Sequence, residues 1–279
     1  MIILHSDIAL MTDAPPFLLI DPLRLQPLLG ADRDRFEVDS LPECASTNTV
    51  LYQRAGLGAP SGSVVVTGHQ TAGRGSRGRQ WAASPQASLT FSLLWRFDGA
   101  MDRLAGLSLA VGVGVVRALE ACGAAGVSLK WPNDILYDNA KLGGILIELL
   151  SDAQGSAAVI GLGLNLSLPA DLELNALALP PAALDQRLDP VPEPHRLLAL
   201  LLVELAGVLD RFSDGGFPAL RDEWQAHNAW QDQPVHLLRD GRVEMEGVCR
   251  GADTDGALLV QTATAIERCL SGDLSLRAP

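Results

Sequence analysis

The stretch that most limits what this chain can fold into is Gln70–Trp81, QTAGRGSRGRQW. It holds three glycines (Gly73, Gly75, Gly78), three arginines (Arg74, Arg77, Arg79) and no acidic residue. It leaves an apolar run, Ser63–Thr67 (SVVVT), whose β-branched content predicts a buried strand. Glycine bends where a Cβ forbids it and lets a ligand approach the main chain. Arginine brings a permanent charge and a planar fork of donors that fits phosphate and carboxylate oxygens. The fold must therefore end a buried strand in a loop suited to anions, one that an anionic ligand would order. The competing reading is a solvated basic loop, and this segment alone does not separate the two.

The setting sharpens the question. The net charge is −12, which argues against a protein whose main task is gripping nucleic acid. A basic loop in an acidic chain focuses charge toward a small anion. Four cysteines (Cys44, Cys122, Cys249, Cys269) are too dispersed for a metal knuckle and read as reduced thiols. Five scattered histidines form no metal motif. The longest apolar stretch, Leu197–Leu209, is broken by Glu204 and too short for a bilayer, and the N-terminus lacks a basic leader. These features lead to the expectation of a cytoplasmic protein with no membrane and no DNA partner.

Along the chain, residues 1–36 carry four prolines and allow one short helix, Pro22–Leu29, ended by Gly30. A strand Glu37–Leu41 precedes Ser46-Thr47-Asn48. Those three residues either only cap a helix Asn48–Ala55 or line a pocket for a small polar ring. Ala87–Phe97 reads as a strand and Arg103–Ala121 as a helix, in which Gly112 and Gly114 serve close packing. Val127–Trp131 is a strand stopped by Pro132, with Lys130 as its one charge. Asn133 and Asp134 either make an Asx-type turn or join a site. Lys141–Leu150 and Ala157–Leu168 are apolar runs of strand length, with Gly143 and Gly144 permitting a close crossing. Gly161, Gly163 and Asn165 alternate on one face. That pattern leaves room for a flat ligand, or marks a tight crossing. After an irregular Pro169–Pro194 come helices near Pro194–Phe212 and Gly216–Trp230. Short β runs follow, with turns at Asp240-Gly241, Asp255-Gly256 and Gly272-Asp273.

GRGSRGRQW followed by KWPND and KLGGILIE resembles the biotin–protein ligases, also called biotin–[acetyl-CoA-carboxylase] ligases. Ser46-Thr47-Asn48, VIGLGLNLSL and the C-terminal GALLVQ…SGDLSLR are similar to further motifs of that family, in order, from about residue 37 to the end. The resemblance implies an α+β fold, with a mixed-sheet biotin/lipoate ligase-like catalytic domain over 37–230. A small C-terminal SH3-like β-barrel would occupy 231–279, after an N-terminal extension over 1–36. It implies activation of biotin by Mg2+-ATP to biotinyl-5′-AMP, then transfer to a lysine of a biotin carboxyl carrier protein. Lys130 and Arg74 are then the expected catalytic cations. Ser46, Thr47, Asn48, Gln70, Gly73, Arg74, Gly75, Ser76 and Lys130 would hold biotin. Arg77, Arg79, Trp81, Asn133 and Asn165 would hold ATP, with Asp134 a candidate magnesium ligand.

Two departures stand out. The family loop reads GRGRxGR, and here Ser76 replaces its second arginine, which the family associates with retaining the acyl-adenylate, so either more intermediate leaks or Arg77 substitutes for it. The N-terminal segment is also short for the DNA-binding domain of many bacterial relatives, which implies a monofunctional ligase. The resemblance leaves a homodimer open. The competing readings are a lipoate–protein ligase, and a repressor that senses biotin without ligation.

Overall fold

The computed structural model describes residues 18–81, 87–152, 155–168, 179–186, 188–239, 242–270 and 274–277. The chain opens with α1 (Pro22–Leu25), β1 (Glu37–Leu41), α2 (Thr47–Gly56), β2 (Ser63–Thr67), β3 (Ser88–Phe97) and α3 (Leu107–Ala121). Next come β4 (Val127–Lys130), β5 (Asp134–Tyr137), β6 (Ala140–Asp152), β7 (Gly155–Asn165), α4 (Pro194–Gly215) and α5 (Arg221–Ala226). The chain finishes with β8 (Pro234–Arg239), β9 (Arg242–Ala252), β10 (Leu258–Gln261), β11 (Ile266–Cys269) and β12 (Leu274–Arg277).

Seven strands form one mixed sheet in the order β1-β2-β3-β7-β6-β5-β4, with β1 parallel to β2 and every other pair antiparallel. Period-two alternation divides its residues between two faces. One face, with Val66, Phe91, Leu93 and Ile160, packs under α3 and α4 in the main core. The other carries Val65, Leu94, Leu150 and Val159 against Leu51 and Ala55 of α2. Among the described residues α2 covers one end of this second face. Gly112 and Gly114 let α3 approach closely: a Cβ at either would lie 3.1–3.2 Å from Leu129 or Leu205. The segment Met101–Ala121 is long and apolar enough to cross a membrane, a property the sequence reading missed. Eleven of the fifteen residues of α3 are buried in this structure.

β5 and β6 are joined through Asp138 and Asn139, both in the left-handed region (φ 49° and 63°), which these two residue types tolerate. Their ladder is irregular. Asp134 pairs with Gly144 and Ile135 with Gly143, but Leu136 pairs with Lys141. Leu142 is thus an extra residue, a β-bulge.

Several boundaries differ from expectation. The helix expected over Pro22–Leu29 ends at Leu25 and continues as a 3-10 helix, Gln26–Arg35, kinked at Gly30. Leu19, Ile20, Leu25 and Leu29 are buried in the main core, so residues 18–36 are packed against the sheet unit. The helix expected from Gly216 to Trp230 shrinks to a 3-10 turn, Phe217–Ala219, and α5. The C-terminal strands form a five-stranded antiparallel sheet, β11-β10-β9-β8-β12. Among the described residues its outer strands do not pair with each other. The SH3-like sheet is therefore open where a closed barrel was expected. Asp255-Gly256 makes a turn with Gly256 at φ 82°. The turns at Asp240-Gly241 and Gly272-Asp273 lie outside the described residues. All four cysteines are free.

Candidate active site

The open part of the second face runs from the start of α2 to the far end of β4–β6. At the α2 end, Ser46 occupies the N-cap position but makes no capping hydrogen bond through its side chain. Gln70 caps instead: its Oε1 accepts from Thr47 N at 2.8 Å and from Thr47 Oγ1 at 3.2 Å. Ser46, Thr47 and Asn48 are all buried. Asn48 is saturated by protein. Its Oδ1 lies 2.6 Å from Ser92 Oγ, and its Nδ2 donates to Glu148 Oε2 (3.0 Å) and Leu146 O (3.3 Å). Ser92 Oγ also lies 2.8 Å from Thr47 Oγ1. These bonds assign Asn48 to building the pocket wall.

The Gly/Arg loop is a small hairpin. Thr71 N and Ala72 N bond to Cys44 O and Ala45 O, so the loop starts beside α2. Trp81 N donates to Gly73 O and Gly75 N to Arg79 O, with an antiparallel bridge between Arg74 and Gln80. Gly73 is required here, since a Cβ would lie 2.3 Å from Trp81 O. Ser76–Gly78 make a 3-10 turn at the tip, and Arg79 folds back on it through Nε to Ser76 O (3.2 Å) and Nη2 to Ser76 Oγ (3.0 Å). The side chain of Arg77 lies outside what the structure describes. Arg74 is half-exposed and forks onto Glu148, with Nη1 to Oε2 at 3.1 Å and Nη2 to Oε1 at 2.9 Å.

At the far end, Lys130 and Asp134 pair directly across β4 and β5 and so share a face. Lys130 Nζ lies 2.5 Å from Asp134 Oδ2, and Lys141 Nζ lies 2.6 Å from Asp134 Oδ1. The bulge at Leu142 makes this possible. In regular alternation Lys141 would point away from Gly144 and Glu148; the extra residue returns it to their face, where its ammonium passes 3.6 Å from the position of a Cβ on Gly144. Burial pushes the Asp134 carboxyl up, but Lys141 and Lys130 together hold it down at about 2. It is ionised at neutral pH. Lys130 also lies 5.8 Å from the centre of the Trp230 ring, and Lys141 lies 6.0 Å from that of Trp81.

The glycines of β7 make room for side chains of the protein itself. A Cβ on Gly161 would fall 2.1 Å from Asn48 Oδ1, and one on Gly163 would fall 2.5 Å from the Trp81 ring. The indole N–H of Trp81 is buried and has no acceptor among the described residues. Asn165 donates to Ala182 O at 2.9 Å, and Asn133 to Ile145 O at 2.8 Å, which is returned by Ile145 N to Asn133 O. Asn133 therefore ties the start of β5 to β6 in place of the expected Asx-type turn. From Ser76, a cleft of about 470 Å3 passes Pro132, Asn133 and Ile145–Ile147 to Asp255–Ala257 of the C-terminal sheet.

The structure thus gathers the expected residues around one face, but it does not join Arg74 to Lys130. Each is paired with a different carboxylate: Asp134 on β5 stands opposite Gly144 of β6, four residues or roughly 13 Å along that strand from Glu148. Three further positions on this face escaped the sequence reading: Lys141 and Glu148, at the two ends of KLGGILIE, and Ser92, a hydroxyl in an otherwise apolar strand. Each oxygen of Asp134 lies within 2.6 Å of a lysine ammonium group, and its buried Oδ1 completes no hydrogen bond among the described residues. Among the described residues there is no group of three His, Cys, Asp or Glu side chains suited to a metal.

A model of the biotin/lipoate A/B protein ligase family matches residues 41–165. The chain is 35% identical over 261 residues to the bifunctional ligase/repressor BirA of Salmonella typhimurium, covering 90% of this chain and 79% of that protein. It is 34% identical over 220 residues to the biotin–[acetyl-CoA-carboxylase] ligase of Paracoccus denitrificans, covering 77% and 90%. In structure it is similar to the biotin protein ligase from Aquifex aeolicus in complex with biotin and ATP. The TM-score is 0.72 at 27% identity, over 85% of this chain and 97% of that one.

Proposed function

The chain belongs to the biotin/lipoate A/B protein ligase family, and from that premise we propose that it is a biotin–protein ligase working on the face described above. Biotin's carboxylate attacks the α-phosphate of ATP, giving biotinyl-5′-AMP and pyrophosphate. The ε-amine of a lysine on a biotin carboxyl carrier protein then attacks the mixed anhydride, and AMP leaves. Both reactants of the first step are anions, so positive charge must gather them and stabilise charge as it builds on the phosphate.

The observation that carries this reading is the Lys130–Asp134–Lys141 cluster. Two ammonium groups held by one carboxylate are pre-oriented toward an incoming anion. We assign the reacting carboxylate and phosphate to this end, with Lys141 joining Lys130 as the second cation. The Ser46, Thr47 and Gln70 wall takes the polar ring of biotin at the other end, and the span between the two suits an elongated substrate. Asn48 and Ser92 hold that wall. Trp81, above Gly163 and beside Lys141, covers the nucleotide with Arg79, while Asn133 and Asn165 shape the strand ends beside it. Gly73 and Gly75 keep the loop main chain close enough to wrap biotin. Magnesium enters with the ATP phosphates, and no step is routed through a protein carboxylate.

The test is biotin-dependent ATP–pyrophosphate exchange, run beside lipoate and with Lys130→Ala and Lys141→Ala. Exchange with biotin and not with lipoate is expected, with each variant down about 100-fold, the usual cost of removing a charge-stabilising donor. Exchange with lipoate would transfer the chain to the neighbouring ligases. Full activity in either lysine variant would remove that residue from the site.

A further inference from the structure

A carboxylate beside a site that must gather two anionic substrates works against that site unless its charge is matched. Glu148 is such a carboxylate, and the structure matches it twice. Its Oε2 accepts from Asn48 Nδ2 at 3.0 Å and from Arg74 Nη1 at 3.1 Å, while its Oε1 lies 2.9 Å from Arg74 Nη2. Three elements meet there: the start of α2, the Gly/Arg hairpin and β6. The hairpin is otherwise bonded largely to itself, through Gly73–Trp81, Gly75–Arg79 and Arg79–Ser76. Its first residues are fixed to the α2 end by Thr71 and Ala72. Arg74 is the first side chain past that anchor, and Glu148 is what it reaches.

We propose that Glu148 is a positioning residue that latches the hairpin over the biotin end of the site, acting through Arg74 and Asn48 rather than on substrate. The geometry supports this in two ways. The fork aligns both terminal nitrogens of Arg74 with both oxygens of Glu148, which fixes direction as well as distance. Asn48 bonds to Ser92 and sits in the space left by Gly161, so Glu148 is itself oriented from the far side. Arg74 therefore serves as the loop's clasp, and the lysine cluster supplies the charge for chemistry. This rests on the biotin-ligase reading for what the loop covers, but not for the latch itself.

Glu148→Gln retains length and an acceptor for Asn48 but carries no charge for Arg74. Two measurements separate a latch from a structural prop. The first is limited trypsin digestion without substrates, read by mass spectrometry at Arg77 and Arg79. The second is the split between KM for biotin and kcat. The pair is half-exposed on the Arg74 side, so the expected change is modest, about fivefold faster loop cleavage and about fivefold higher KM. The change in kcat is expected to be smaller and the thermal midpoint nearly unmoved. Arg74→Gln should reproduce both effects, and the double variant should add nothing further. Cleavage at the wild-type rate in Glu148→Gln, or effects that multiply in the double variant, would overturn the latch. Digestion needs no catalysis, so a failed exchange assay would leave this result readable.

Discussion

Replacing Gly161 with alanine tests whether β7 is stripped of side chains for the protein's own wall. The new Cβ would lie 2.1 Å from Asn48 Oδ1 and 2.8 Å from Asn48 Cγ, so the Asn48 side chain must leave its place. It surrenders hydrogen bonds to Ser92, Glu148 and Leu146. At about 1 kcal/mol net for each, the loss is roughly 3 kcal/mol. Alanine is better than glycine in a strand by about 0.5–1 kcal/mol, which leaves a destabilisation of about 2 kcal/mol. Urea unfolding of four proteins measures it: wild type, Gly161→Ala, Asn48→Ala and the double variant. With Asn48 already truncated, the obstacle is gone, and adding Gly161→Ala should cost nothing or stabilise slightly. Gly163→Ala makes the contrast, since its Cβ meets the Trp81 ring rather than the Asn48 wall. It should leave stability nearly unchanged and raise KM for ATP. A neutral Gly161→Ala, or one that costs as much without Asn48 as with it, would refute the argument.

Further expectations concern the two ends of the site. The Asp134 carboxyl sits at about 2, below its ordinary 3.8, so its ionised form stabilises the fold. That contribution, about 2 kcal/mol, is complete above pH 4 and is lost as pH falls from about 4 to about 2. The stability gap between wild type and Asp134→Asn, followed by unfolding across this range, should therefore be flat above pH 4 and narrow below it. At the other end, Gln70→Ala should cost about 1 kcal/mol of stability, as the loss of a helix cap does. Ser46→Ala should cost little stability yet weaken biotin binding. The reverse order in thermal melts would restore Ser46 as the cap.

Much of this was legible in the chain. The Gly/Arg loop after SVVVT, the lysine on a strand stopped by proline, and the alternating glycines all meet on one face of one sheet. The motifs were readable because glycine, proline and arginine act locally. What escaped was set by contacts between distant segments. Ser46 carries the usual sign of a cap, but Gln70, brought back by the loop, takes the amide first. Gly161 and Gly163 advertise empty space, and only the packed structure shows Asn48 and Trp81 filling it. KLGGILIELL reads as an apolar strand, and its two charges, Lys141 and Glu148, drew no role from that reading. Alternation also places Lys141 and Glu148 on opposite faces, because their separation is odd.

The extra residue at Leu142 reverses that parity. It works as a phase slip: everything before it in β6 is read half a period out of step with everything after. The cation that meets Asp134 and the anion that meets Arg74 owe their common outlook to this one irregularity. Deleting Leu142 would remove a single buried side chain and smooth the ladder, yet it would turn Lys141 into the helix-covered layer. Anyone grafting this site onto a regular strand must separate the two charges by an even number of residues.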